Sequence, residues 1–114
     1  VNTASICGLV PLPHATAYNS AKHGVIGLTK SAAVEYGPKK IRVNAVCPGF
    51  IDTPMLAKGA GASQEILDGV VRQLPIRRIA DPSEVADVVA WLMSPHSSYV
   101  TGVAMPIDGG WTAQ

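Results

Sequence analysis

Apolar and polar positions recur with two different periods along the chain and predict helices and strands in turn. A helical period runs through residues 16–36, where small and apolar side chains return every three or four positions. Two shorter amphipathic helices are predicted after Ser63 and after Asp81. Apolar, β-branched runs at the start of the chain, at 41–47 and at 103–107 predict strands. Because a strand that follows a long helix after a tight turn is typical of parallel sheets, the pattern predicts an α/β fold.

Capping residues and prolines mark the predicted helix boundaries. Thr16 is the predicted N-cap of the long helix, and Gly37-Pro38 closes it. Ser63 caps the next helix, which Pro75 ends. The sequence Asp81-Pro82-Ser83-Glu84 combines an acidic N-cap, a proline at the first helical position and a glutamate three residues after the cap. The last helix is therefore predicted to begin there.

Glycines within and between the predicted elements carry further expectations. Gly24 and Gly27 lie inside the long helix and cost about 1 kcal/mol each relative to alanine. We therefore expect a sheet, another helix or a symmetry mate to approach that backbone closely. Residues 50–62 combine turn residues with a glycine-alanine tip and predict a mobile flap. Gly59-Ala60-Gly61 is not a dinucleotide fingerprint, because no strand precedes it and Gln64 stands where the third glycine would.

Composition and charge exclude several classes of protein. The chain has 114 residues, enough for one domain at most, with 47% hydrophobic and 15% charged residues, which is a globular composition. Nine basic and eight acidic side chains are dispersed and give a net charge of +1, so no nucleic-acid or acidic-membrane partner is predicted. The apolar run Val88–Met93 is too short to span a bilayer, and neither a transmembrane helix nor a signal peptide is predicted.

Cysteine and histidine usage predicts no metal site. Cys7 and Cys47 have no CxxC spacing and no histidine at ligand distance, and we interpret them as reduced, buried thiols of a cytosolic protein. Ordinary surface or loop roles are assigned to the three histidines, which are His14, His23 and His96.

One stretch of the chain carries candidate chemistry. Tyr18 and Lys22 are four residues apart in the predicted helix, so they project from one face and the ammonium can lie beside the phenol. A fixed positive charge favours a phenolate, and Tyr18 could then exchange a proton with an alcohol or ketone. Ser5 and Pro48-Gly49 follow predicted strands, and strand ends meet at one edge of a parallel sheet. On spacing alone, an ordinary surface pair is the commoner interpretation of Tyr18 and Lys22, and Ser5 could equally be a serine that satisfies a turn.

Six blocks in order resemble the carboxyl-terminal half of a short-chain dehydrogenase/reductase. They are Asn2-Thr3-Ala4-Ser5, Tyr18-Asn19-Ser20-Ala21-Lys22, Ile41-Arg42-Val43-Asn44-Ala45-Val46-Cys47-Pro48-Gly49, Asp52-Thr53-Pro54, Asp81-Pro82-Ser83-Glu84-Val85-Ala86 and Asp108-Gly109-Gly110. The resemblance covers the whole chain and implies a Rossmann-like, doubly wound parallel sheet. Residues 1–114 would form the carboxyl-terminal part of that single domain, with the catalytic segment, the substrate loop and the last strand. The opening Val1 is interpreted as a cut, so the glycine-rich phosphate loop and the upstream asparagine of the family would precede it.

The resemblance also implies roles for individual residues. Tyr18 matches the general acid/base, Lys22 the lysine that favours the phenolate and bonds the nicotinamide ribose hydroxyls, and Ser5 the serine that bonds the substrate oxygen. Tyr18 and Lys22 thereby also count as cofactor contacts, and the implied cofactor is NAD or NADP. The other implied cofactor contacts pack on the nicotinamide or fix its carboxamide, and they are Pro48, Gly49, Ile51 and Thr53.

The function implied by the resemblance is hydride transfer between NAD(P) and a secondary alcohol or ketone. The protein would be a cytoplasmic homo-oligomer, either a dimer or a tetramer. A 3-oxoacyl-carrier-protein reductase shares these motifs and would need a basic docking patch, for which the candidates are Arg72, Arg77 and Arg78. Alternatively, the 114 residues are a non-catalytic fragment without a dinucleotide cradle, and we expect the piece alone to be inactive. Pocket and core roles both stay open for Phe50, Met55 and Leu56.

Overall fold

A long helix and a short parallel sheet dominate the computed structural model, which describes residues 1–59 and 63–114. Along these residues the elements are β1 (Asn2–Thr3), α1 (Thr16–Tyr36), β2 (Ala45–Pro48), α2 (Pro54–Gly59), α3 (Gln64–Gln73), α4 (Pro82–Met93) and β3 (Ala104–Ile107). Short 3₁₀ helices lie between or after them at Ile6–Gly8, Gly37–Lys39, Pro95–Ser97 and Trp111–Ala113.

The sheet is parallel throughout and has the order β1-β2-β3. Asn2 lies opposite Ala45 in the first pairing, and Ala45 lies opposite Ala104 in the second. Ala45, Val46 and Cys47 of the central strand are 0% exposed, and Ile26 of α1 packs with Ala45 and Cys47 in the core. The predicted parallel α/β arrangement is confirmed, and β2 with the inner side of α1 forms the centre of the chain.

The strand predicted at 41–47 begins later than expected, because side chains hold the residues before it. The guanidinium of Arg42 donates to the carbonyl of Val100 and to carbonyls at the end of α4, with N···O distances of 2.8–3.3 Å. The Asn44 side chain donates to Val100 O at 2.9 Å and accepts the Val103 N–H at 3.1 Å. The amide of Val103 is thus bonded to a side chain, and β3 begins one residue later than predicted.

The boundaries of α1 and α3 follow the prediction, although the predicted caps do not. Thr16 is the first helical residue of α1, and Ala15 occupies the N-cap position without a side-chain hydrogen bond, so the N-cap prediction was wrong by one residue. Ser63 precedes α3 as predicted, but its side chain makes no capping bond. Gly37 follows the end of α1, and α3 ends two residues before Pro75.

The predicted start of α4 is confirmed at the level of single hydrogen bonds. The Asp81 carboxylate accepts the Ser83 N–H at 2.8 Å, and the Glu84 carboxylate accepts the Asp81 N–H at 2.8 Å. These reciprocal bonds form a capping box and satisfy donors that the first turn of a helix leaves unpaired.

The expected close approach to the glycines of α1 does not occur within the described chain. A Cβ built on Gly24 or on Gly27 would meet no described atom within 4 Å outside the adjoining residues and nearby backbone of α1. The sheet and helix alternatives for covering these glycines were therefore wrong for this part of the protein. Packing against a second copy stays a prediction.

The segment predicted as a flap is helical over part of its length. Residues 54–59 form α2, whereas Ala60, Gly61 and Ala62 lie outside the described residues, as does part of the rejected Gly59-Ala60-Gly61 fingerprint. The mobility of this segment stays a prediction. Across the two described ranges, none of the helices combines the length and apolarity that crossing a bilayer requires.

Candidate active site

A cavity of about 840 Å³ opens where β1 and β2 end. All seven residues that the sequence singled out line it, namely Ser5, Tyr18, Lys22, Pro48, Gly49, Ile51 and Thr53. Parallel strands bring their carboxyl ends to one edge of a sheet, which explains why residues far apart in sequence meet there. The volume lies within the range of ordinary small-molecule sites.

Ser5 is buried at the end of β1, with 8% of its surface exposed. It is the N-cap of the 3₁₀ helix Ile6–Gly8, and its Oγ accepts the Cys7 N–H at 3.2 Å. This bond uses a lone pair of Oγ, so the hydroxyl proton stays available for a ligand oxygen. The capping role that the sequence left open for Ser5 and a role in the cavity are therefore compatible.

Tyr18 and Lys22 project from the first two turns of α1 into the same cavity. The Lys22 ammonium lies 5.5 Å from the centroid of the Tyr18 ring and donates to the backbone carbonyl of Thr3 at 3.0 Å. That bond ties α1 to the end of β1. Tyr18 is 42% exposed, so its ring is accessible from the cavity. The two predicted residues lie on one face, and backbone contacts fix the lysine.

Gly8 holds α1 against the end of β1 at the level of Lys22. A Cβ at Gly8 would lie 2.7 Å from the carbonyl oxygen of Lys22 and 2.8 Å from Cδ1 of Ile26. Only a residue without a side chain permits this approach, so Gly8 helps to set the position of Lys22 relative to Ser5. The local sequence around Gly8 gives no signal for this role, because the helix that approaches it lies elsewhere in the chain.

Pro48 and Gly49 form the floor of the cavity at the end of β2. A Cβ at Gly49 would lie 2.9 Å from both Cα and Cβ of Asp108, which follows β3. The Asp108 carboxylate accepts the Gly110 N–H at 3.0 Å, the Thr112 N–H at 2.9 Å and the Thr112 hydroxyl at 2.6 Å. Burial opposes ionisation of this carboxyl, but the bonds from Thr112 and Gly110 outweigh it and hold the pKa of Asp108 below its usual range.

The residues after Gly49 line the cavity without regular secondary structure, and an isolated β-bridge holds them in place. Ile51 pairs with Ala80, and the two bonds of this bridge use the carbonyl of Phe50 and the N–H of Asp52. They leave the N–H of Ile51 out of the bridge. Thr53 Oγ1 donates to the Ile51 carbonyl at 3.3 Å and accepts the Leu56 N–H at 3.4 Å, so this hydroxyl is used in starting α2.

The structure adds lining residues from the amphipathic helix that was predicted after Ser63. Ile66, Leu67 and Val70 of α3 line the cavity, as do Phe50, Met55 and Leu56, whose pocket role was open. Amphipathic spacing identifies the apolar face of α3 but does not distinguish a core from a cavity wall. The sequence identified Asn19 only as part of a family block. In the structure its side chain accepts the Leu12 N–H and donates to the Leu12 carbonyl, and it thereby fixes the loop before α1.

The remaining reactive side chains make no second centre in the part of the chain that is described. Cys7 and Cys47 are both buried and free, as predicted. Burial raises the pKa of the Cys47 thiol. A hydrogen bond from the Ser5 amide lowers this pKa, and the negative charge of Asp108 raises it further, so the net shift is upward. His23 Nδ1 lies 2.9 Å from the Asn19 carbonyl oxygen, an ordinary contact within a helix. The described residues include no group of three or more potential metal ligands.

Comparisons with known proteins agree with this arrangement. Residues 1–112 match the family described as Enoyl-(Acyl carrier protein) reductase. The chain is 44% identical to short-chain dehydrogenase anuF of Penicillium roqueforti over 114 residues, covering 100% of the chain and 41% of that protein. It is 47% identical to cyclohexanol dehydrogenase of Acinetobacter sp., covering 100% of the chain and 43% of that protein. The chain thus spans less than half the length of these relatives.

Solved structures share both the sheet and its helices. 4-Hydroxyisoleucine dehydrogenase complexed with NADH matches 99% of the chain and 46% of its own length, with a TM-score of 0.92 and 34% identity. A variant of actinorhodin polyketide ketoreductase with NADPH matches 99% of the chain and 46% of its own length, with a TM-score of 0.94 and 38% identity. A 3-oxoacyl-[acyl-carrier protein] reductase from Brucella melitensis matches 96% and 40%, with a TM-score of 0.88 and 44% identity.

The Rossmann-like fold class predicted from the sequence is confirmed by these neighbours. The matches of the family and of the relatives extend over nearly the whole chain, and the site described above lies within them. The chain belongs to the short-chain dehydrogenase/reductase family.

Proposed function

We propose that the protein carrying this chain transfers a hydride between NAD(P) and a secondary alcohol or ketone, with Tyr18 as general acid/base. One observation carries the proposal: Ser5, Tyr18 and Lys22 line a single cavity, and Lys22 is held there by Thr3 O at 3.0 Å. The relatives and neighbours named above are dehydrogenases and reductases, which supports the same class of reaction.

The chain's own groups account for the proton and the orientation of the substrate. In the direction of reduction, Ser5 donates its hydroxyl proton in a hydrogen bond to the carbonyl oxygen. Tyr18 transfers its phenolic proton to the same oxygen as the carbonyl becomes an alcohol. A bound nicotinamide supplies the hydride that the carbon receives. Both transfers converge on one C–O group. The rate therefore depends above all on the fixed positions of Ser5 and Tyr18 relative to that group.

The edge of the sheet has donors and close packing that suit a nicotinamide cofactor. An ammonium has three N–H donors, and Lys22 uses one on Thr3, so two remain for ribose hydroxyls. The N–H of Ile51 lies outside its bridge and is available to a carboxamide. Pro48 and Gly49 offer a floor with little side chain, which a flat ring can approach. Neighbours solved with NADH and with NADPH support either cofactor.

A 3-oxoacyl-carrier-protein reductase is the second candidate, and the structural neighbour from Brucella melitensis favours it. An acidic carrier protein would need a basic surface, and one of its three candidate arginines is already paired. Arg78 makes two bonds of 2.7 Å to the Glu84 carboxylate and lowers the pKa of Glu84 to about 2. Arg72 and Arg77 remain, which is weaker support than for a small substrate. Strong loss of activity with added salt would favour the carrier-protein substrate.

Assembly and compartment belong to the same proposal. The exposed face of α1 carries Gly24, Gly27 and Leu28, and a second copy packing there would form the proposed dimer or tetramer. Cys7 and Cys47 are buried and unlinked, which supports a reducing compartment such as the cytoplasm.

The decisive test replaces Tyr18 by phenylalanine in the whole protein. Tyr18→Phe should lower kcat by about 10²–10⁴-fold, because the variant loses the proton donor and keeps the ring. Titration of NADH and NADPH by fluorescence should show nearly unchanged cofactor binding. Retention of most of the activity would contradict the role of Tyr18.

Tyr36→Phe provides a matched control on the same helix. Lys39 Nζ lies 5.3 Å from the Tyr36 ring, almost the distance between Lys22 and Tyr18, but Tyr36 does not line the cavity. This variant should keep its turnover. The 114-residue chain itself should bind neither cofactor; saturable binding with turnover would exclude the non-catalytic alternative.

A further inference from the structure

Polar groups are concentrated at one end of the large cavity. Ser5, Tyr18 and Lys22 lie where β1 meets α1, and Lys22 carries the one formal charge among the described lining residues at neutral pH. Thr53 also lines the cavity, but its hydroxyl already donates to Ile51 and accepts from Leu56. A substrate therefore finds polar partners mainly at the end where its C–O group would react.

The cavity wall formed by α2 and α3 is apolar and incompletely covered by the described residues. Met55 of α2 is 74% exposed and Ile66 of α3 is 51% exposed, although both line the cavity. Leu56, Leu67 and Val70 beside them are half-buried. Large apolar side chains lose contact with water when an apolar ligand covers them, which favours binding of such a ligand. A charged ligand at the same place would lose water without gaining a partner from the described wall.

From this division we propose that the substrate is an uncharged, apolar ketone or secondary alcohol, selected by Met55, Ile66 and Val70. The inference rests on the proposed function and adds the part of the substrate distant from the reacting oxygen. A cavity of about 840 Å³ can hold a ring-sized hydrocarbon skeleton beside the nicotinamide. A carboxylate or phosphate on that skeleton is expected to be rejected.

The test compares two ketones of similar shape that differ in charge, 4-ethylcyclohexanone and 4-oxocyclohexanecarboxylate. The whole protein should reduce the neutral ketone with a kcat/KM at least about 10-fold higher, because the wall offers no partner to the carboxylate. Ile66→Lys should reverse part of this preference, raising KM for the neutral ketone about 10-fold and lowering it for the carboxylate.

Two further variants separate a wall effect from a general one. Ile41→Lys is the matched control, since Ile41 is 50% exposed and does not line the cavity; its preference should equal that of the wild type. Met55→Lys on α2 repeats the test at a more exposed position and should shift the preference in the same direction even where Ile66→Lys fails to fold.

Failure of this inference is distinguishable from failure of the proposed function. Equal or better reduction of the carboxylate by the wild type, or an unchanged preference in both lysine variants of the wall, would overturn the inference. So would turnover of neither ketone by a protein that reduces some other ketone. Tyr18→Phe should lower kcat for whichever ketone is accepted by the same factor of about 10²–10⁴; retention of most of the activity in that variant would instead overturn the proposed function.

Discussion

The carboxyl edge of the sheet and the outer face of α1 contain the same kinds of residue in very different surroundings. At the edge, a Cβ on Gly49 would lie 2.9 Å from Asp108, and Lys22 is bonded to Thr3. On the outer face of α1 (Gly24, Gly27, Leu28, Ser31 and Glu35), every residue is exposed. A Cβ added to either of its glycines would meet no described atom within 4 Å outside the nearby backbone of α1.

This contrast shows that a glycine acquires its role from its neighbours. At the edge, backbone groups of three elements contact each other directly, so small changes displace groups of the candidate site. On the outer face, the described chain itself imposes no such restriction. A requirement for small residues there would have to come from another molecule.

The largest expected difference between the regions concerns the lysines of α1. Lys22→Met should lower kcat/KM on the order of 10²-fold or more, because it removes the bond to Thr3 and the positive charge beside the phenol while keeping an apolar stem. Steady-state kinetics at saturating cofactor, with a separate cofactor titration, measures the loss.

Lys30→Met supplies the control for this prediction. Lys30 is an exposed residue of α1 that does not line the cavity. Its replacement should leave kcat/KM within about twofold of the wild type. Comparable losses in both variants would mean that the edge has no special role and that α1 tolerates neither change.

A smaller difference is expected from alanine at the two kinds of glycine. Gly49→Ala should destabilise the protein by about 1–3 kcal/mol, since its Cβ would overlap Asp108 backbone and Cβ atoms. Gly24→Ala should instead stabilise the protein by up to about 1 kcal/mol, because alanine is favoured inside a helix and finds open space. Urea denaturation of the two variants beside the wild type measures both changes.

The sign of the Gly24→Ala effect also tests the proposed homo-oligomer. Destabilisation together with a lower assembly mass in analytical ultracentrifugation would show that a second copy packs on this face. A stabilised protein of unchanged mass would leave the outer face of α1 free and would remove the support that its glycines give to the oligomer.

Residue spacing predicted the parts of the molecule that depend on local hydrogen bonds. Asp81 and Glu84 form the predicted capping box, and the four-residue spacing of Tyr18 and Lys22 places both in one cavity. The start of β2 was not predictable in this way, since it depends on bonds from Arg42 and Asn44 to residues 50 and 56 positions away.

Long-range contacts also explain the errors about glycine. From the sequence, close approach was expected at Gly24 and Gly27, whereas Pro48-Gly49 was predicted only to follow a strand and to match a block of the family motif. The close approach occurs at Gly49 and Gly8, where strand ends and α1 converge in space. Sequence alone contains the glycine but not the element that will lie opposite it. For the same reason, the amphipathic pattern of α3 does not show that its apolar side lines a cavity.

The smallest expected difference between the two regions is in the pH dependence of stability. Asp108 at the edge has a lowered pKa because three bonds from Gly110 and Thr112 outweigh the effect of its burial. A carboxyl whose pKa is lower in the folded state stabilises the fold above its unfolded pKa of about 3.8 and loses this contribution as the pH falls through the folded value. Asp108→Asn should therefore lower the free energy of unfolding by about 0.5–1 kcal/mol at pH 7. The loss is small because hydrogen bonds to a partly exposed carboxylate stabilise the fold less than bonds to a buried one.

The cost of Asp108→Asn should shrink as the pH is lowered below about 4, because the wild-type carboxyl then becomes neutral like the amide. Glu35→Gln on the outer face of α1 is the control and should change stability by less than about 0.5 kcal/mol. Urea denaturation at a series of pH values measures both. A cost for Asp108→Asn that stayed constant down to pH 2.5 would assign the effect to the shape of the side chain, and the edge would then differ from the outer face in packing alone.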